Sequence, residues 1–138
     1  MLLQLFFSFV ALTRTHKSIY LQLASFPSGI NMITAQKLLY PDWKDTIVFP
    51  PQGSHPQMLL ETDKLVVVLV GLRAGQKITP HNAPASVFYI LEGSGWMIVN
   101  GQRLPVNKGS TVIVPDGGSR GVEAETDLAF LGAQAGKM

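Results

Sequence analysis

Cysteine is absent from the 138 residues, which excludes a disulfide framework, a thiolate-bound zinc and a cysteine nucleophile. Charge is scarce as well, at 14% Asp, Glu, Lys and Arg where about a quarter is usual. The formal net charge of +2 is carried by residues 1–31, which hold Arg14 and Lys17 and no acid. Residues 32–138 hold nine basic and nine acidic side chains and sum to zero. A nucleic-acid partner needs a basic face to neutralise phosphates, and residues 32–138 have no surplus from which to build one. The apolar opening Leu2 to Leu12 has eleven residues, against about 20 for a helix that crosses a bilayer, so no membrane span is expected.

Residues 1–31 differ from the rest. The run LLQLFFSFVAL has the length of a signal-peptide core, but no Lys or Arg precedes it and no small-residue cleavage site follows. Three readings stand: a start assigned too early with Met32 as the true one, a degenerate signal or membrane-associating segment, and an extension packed on the domain. The first places the protein in the cytoplasm and the second permits export. Residues 32–138 are expected to form one domain that folds without residues 1–31.

What is abundant is turn chemistry, with 13 Gly and 9 Pro among 46% hydrophobic residues. Ile33 to Leu39 suggests a short helix stopped at Tyr40-Pro41, and residues 50–57 (PPQGSHPQ) a loop. Strands are expected at Thr46–Phe49, Leu65–Leu72, Val87–Leu91, Trp96–Val99, Thr111–Val114 and Leu128–Leu131. Between them lie Gly93-Ser-Gly95, the hairpin signal Asn100-Gly101, Asn107-Lys-Gly109 and Asp116-Gly-Gly118. Leu65 to Leu72 is apolar without alternation, so both of its faces need cover. A small barrel covers only the inner one, which predicts a homodimer.

Two segments resemble the paired motifs of the cupin superfamily, small jelly-roll β-barrels. The first is Gly75-QKITP-His81-Asn82-Ala83-PA-Ser86-VFYILE-Gly93, and the second is Gly109-STVIV-Pro115-Asp116-Gly117-GS-Arg120-GVE-Ala124. The resemblance implies an all-β, single-domain barrel of jelly-roll type. In metal-binding members the ligands are two His and a Glu of the first motif and a His of the second. Here those positions hold His81, Ala83, Ser86 (or Val87, since the loop is one residue short) and Arg120. A guanidinium cannot coordinate a cation and repels it, so neither a metal nor another cofactor is expected.

Candidate site residues are therefore His81, Arg120, Ser86, Phe88 and Trp96. His81 reads as a general base, a hydrogen-bonding group at the barrel mouth, or a tolerated relic. Arg120 inside a barrel needs an anionic partner. That partner is an internal acid (Glu92, Glu123 or Asp127) or a ligand carboxylate or phosphate; at the rim it needs none. Ser86, Phe88 and Ile90 share one strand face. Trp96 suits a pocket wall, the core or an interface, and His55 lies in a breaker-rich loop. Four functions follow: a metal-free barrel binding a small, anionic molecule; a metal-free epimerase- or isomerase-like enzyme with His81 as base; a metalloenzyme that recruits His55 or other non-standard ligands; and a dimeric interaction module.

Overall fold

The computed structural model describes residues 35–136. The chain divides into two compact units at Trp43/Lys44. In the first, residues 35–40 have no regular structure, and the Lys37 ammonium lies 4.5 Å above the Tyr40 ring. The helix expected from Ile33 is thus not formed at Ala35–Leu39; a 3₁₀ turn at Trp43–Asp45 follows instead. Seven residues without a cap fall below the length at which a helix sustains itself. The expectations for residues 1–31 lie outside the described residues.

The second unit is all antiparallel β. Nine strands run β1 (Gln57–Glu61), β2 (Leu65–Leu72), β3 (Lys77–Asn82), β4 (Ser86–Glu92), β5 (Ser94–Val99), β6 (Gln102–Asn107), β7 (Thr111–Val114), β8 (Ser119–Ala124) and β9 (Leu128–Ala135). They form a five-stranded sheet in the order β1-β2-β9-β4-β7 and a four-stranded sheet in the order β3-β8-β5-β6. Between the sheets lie Leu72, Phe88, Ile90, Met97, Val122, Leu128 and Phe130, all at 1% exposure or less. Phe88 meets Phe130 edge to face, with centroids 5.8 Å apart. No helix among the described residues is long and apolar enough to cross a membrane.

Local chemistry accounts for most of this order. Asn100 (φ 51) and Gly101 (φ 79) form the tight β5–β6 turn, where both central residues need positive φ. The Asn100 Oδ1 also accepts the Ser119 N–H at 2.9 Å, which ties the turn to the start of β8. The motif glycines Gly75, Gly93, Gly109 and Gly117 all have positive φ, which costs glycine little.

Thr46–Phe49 is not a strand, because Pro50 and Pro51 have no N–H with which to extend a ladder. It lies instead over the outward side of β2. A Cβ on Gly71 would meet the Val48 carbonyl at 2.6 Å and the Phe49 ring at 3.0 Å. The chain therefore covers part of the outward face of β2 itself, and Leu69 is 1% exposed there.

Candidate ligand-binding site

Side chains alternate along a strand, so the buried positions identify the inward face. In β8 the inward set is Arg120, Val122 and Ala124, and in β4 it is Ser86, Phe88 and Ile90. Arg120 therefore enters the barrel. Its guanidinium carbon is 4.7 Å from the Phe88 ring centroid, a cation–π contact.

A bulge aims His81 at it. Ile78 pairs with Val122 and His81 with Arg120, so three steps on β3 match two on β8. Regular pairing would put Pro80 opposite Arg120 and turn His81 outward. Pro80 cannot donate to the ladder, and the extra residue shifts the position opposite Arg120 by one, from Pro80 to His81, an exposed side chain. Gly121 makes the room: a Cβ there would lie 2.7 Å from Pro80 Cγ. His81 and Arg120 are thus neighbours on adjacent strands of one sheet.

The two rings of atoms have fixed roles. His81 Nδ1 is 3.1 Å from the Thr79 carbonyl oxygen. A carbonyl only accepts, so Nδ1 carries a proton, and in the neutral ring Nε2 keeps its lone pair. That lone pair faces Arg120 Nη2 at 3.4 Å. The pair offers one donor group and one acceptor.

Among the described residues, Arg120 has no carboxylate partner. Each of the three internal acids considered for it is held by another cation: Glu123 by Arg103 at 2.9 Å, Asp127 by Arg73 at 3.4 Å and Glu92 by Lys108 at 3.5 Å. The contact with His81 is the one hydrogen bond of the Arg120 side chain among the described residues, and Arg120 Nε is buried without a partner. Burial pulls the guanidinium pKa down from its ordinary value, although an arginine stays charged.

The other candidates separate. Ser86 is inward and 7% exposed, and its hydroxyl donates to the Pro84 carbonyl at 2.6 Å, so it is not brought to His81 as a nucleophile. Phe88 is fully buried and supports Arg120 from below. Trp96 does not wall the barrel. Gly95, Met97 and Val99 are the buried positions of β5, which leaves Trp96 on the outward face, where Arg103 covers it at 3.8 Å from the ring centroid. His55 is exposed, and its carbonyl accepts from Gln57 Nε2.

The residues at the four family ligand positions do not fit a divalent metal. Ala83 has no donor atom, the Ser86 hydroxyl is engaged, Arg120 carries a positive charge, and only His81 remains. No group of three His, Cys, Asp or Glu suited to a metal exists among the described residues.

A cleft of about 750 Å³ is lined by Met58, Glu61, Asp63, Val66, Pro84 and Gln134 among others, and neither His81 nor Arg120 is in its lining. Val66, Gln134 and Ser86 are in register across β2, β9 and β4. Val68, Gly132 and Phe88 form the next inward row, one pleat or about 7 Å deeper. The cleft therefore reaches the row next to that of Phe88. Most of these lining residues were not anticipated, because the loop reading ended at Gln57 and residues 58–64 were given no element. The parity Leu128-Phe130-Gly132-Gln134 was the available signal for Gln134.

The sequence matches no family model and no curated protein at a significant level. Solved structures are similar. A conserved protein of unknown function from Streptococcus pyogenes has a TM-score of 0.64 at 22% identity, over 80% of this chain and 96% of that one. An RmlC-like cupin from Desulfovibrio desulfuricans gives 0.60 at 24% identity, over 66% and 90%. A salicylate 1,2-dioxygenase from Pseudoaminobacter salicylatoxidans gives 0.54 at 23% identity, over 59% of this chain and 26% of that one.

Proposed function

Because the chain is a cupin by fold, we propose that it uses the barrel mouth without a metal, as a binding site for a small anion, a carboxylate or phosphate anchored by Arg120. The observation that carries this reading is a half-buried guanidinium stacked on Phe88 with no carboxylate beside it among the described residues. An inward charge without a counter-charge is costly, and a bound oxyanion supplies one. Arg120 then puts a positive charge where metal-binding relatives of this fold put a cation. His81 lies against that charge. Ser86 and Phe88 shape the floor rather than contact chemistry.

Nuclear magnetic resonance titration with propionate and with inorganic phosphate tests this. Charge-assisted hydrogen bonds contribute about 1.5–3 kcal/mol, so Arg120→Met should weaken binding by about 10- to 150-fold. Equal binding by both proteins, or none by either, overturns the reading.

A metal-free enzyme with His81 as general base is the second reading. It is favoured by the Thr79 contact, which leaves the Nε2 lone pair turned inward.

The expected homodimer belongs with the outward face of the five-stranded sheet. Ile113, Val87, Ala133 and Val67 form one register row there, and Tyr89 and Leu131 sit in the next. Val87, Tyr89 and Ile113 are 39%, 47% and 65% exposed. The two rows carry no charge, so two copies meet there without repulsion, and the partner proposed is a second copy of the chain. A cytoplasmic location rests on Met32 as the start.

A further inference from the structure

Resting on the anion reading, we infer that the ligand is an α-hydroxy acid, a carboxylate with a hydroxyl on the adjacent carbon. The inference comes from the unlike roles of the two side chains. Arg120 donates only. His81 Nε2, in the ring whose Nδ1–H is turned to the Thr79 carbonyl, accepts. A plain carboxylate also only accepts, so it satisfies the guanidinium and leaves Nε2 facing an oxygen that has no proton to give. A molecule that presents an acceptor and a donor side by side satisfies both. The two protein nitrogens are 3.4 Å apart, a separation that neighbouring substituents span. The carboxylate takes the guanidinium N–H groups, and the hydroxyl hydrogen bonds to Nε2 in place of the long Nη2 contact. The inferred role of His81 is to read the hydroxyl, while Arg120 reads the charge.

Lactate and propionate differ by that one hydroxyl, and titrating both into the full chain tests the assignment. Wild type should bind lactate about 3- to 10-fold more tightly than propionate, the range of one neutral hydrogen bond. His81→Phe keeps a ring but has no acceptor, and should bind the two equally. Arg120→Met should weaken both. Equal binding of lactate and propionate by wild type would overturn the inference and leave the anion site standing. A lactate preference that survives in His81→Phe would overturn it too. Binding of phosphate alone, with neither carboxylate, would remove the α-hydroxy acid and keep the anion; binding of none of the three would remove both.

Discussion

Gly132 sits at the closest approach of β9 to the ring that carries Arg120, and replacing it with alanine probes that support directly. A Cβ at this position would lie 2.6 Å from Phe88 Cε1, 2.9 Å from Cδ1 and 3.3 Å from Val68 Cγ2. Carbon atoms prefer about 3.5–4.0 Å, so the ring must retreat by about an ångström. It has little freedom to do so, being fully buried with its edge against Phe130. Overpacking of this kind costs about 1–3 kcal/mol. A domain of about 100 residues loses roughly 4–8 °C of melting temperature per kcal/mol. Urea unfolding of Gly132→Ala should show a lower midpoint at unchanged slope. Phe88→Leu should relieve the contact, so the double variant should fall short of additivity by about 0.5–3 kcal/mol. The displaced ring also moves the guanidinium, and affinity for propionate should drop with stability. A Gly132→Ala protein that melts with wild type, or two substitutions that simply add, would refute the packing argument.

Three further outcomes are expected. Asn100→Gly keeps the turn but loses the bond to Ser119, and Asn100→Ala loses both, so thermal stability should fall in that order, by about 1 kcal/mol for each step. Glu123 is held below the usual carboxylate range, first by its hydrogen bond from Arg103. A carboxylate depressed on folding stabilises above its unfolded pKa, and that contribution is lost as pH falls through the folded value. Glu123→Gln should therefore flatten the acid limb of the stability curve below about pH 4.3, and superimposable curves would refute the coupling. Ile113→Asp puts a charge in the most exposed position of the neutral face, and light scattering should read a monomer for it where wild type reads a dimer.

The barrel was legible because its turns are written in residues with narrow conformational options. Asn100-Gly101 and the four motif glycines mark the places where the chain reverses, and Thr111–Val114 was bounded to the residue. The strands that escaped notice, β1, β3, β6 and β8, hold polar residues, Pro80, Pro105 or Gly121. Their place in the sheets comes from tertiary pairing rather than from composition. The identity of His81 and Arg120 was visible, whereas their adjacency depends on a bulge that no local pattern announces. The face of Trp96 was left open for a simpler reason. Alternation indicates that Trp96 and Met97 face opposite ways, but not which of them faces in.

The stacking of Arg103 on Trp96 has an optical consequence. The chain has two tryptophans, Trp43 and Trp96, and Trp43→Phe would leave one indole, lying on the outward face of β5 under a guanidinium that Glu123 also holds. Its emission then reports whether the four-stranded sheet is intact, because unfolding removes the stacked cation and exposes the indole to water. The inward side of the same sheet carries Arg120, whose register partner on β5 is Val99, three residues along from Trp96. Ligand entry at the mouth leaves the outward indole untouched. Fluorescence of this single-tryptophan protein therefore follows folding on a channel separate from occupancy, so a ligand that raises the melting temperature should do so without changing the native spectrum.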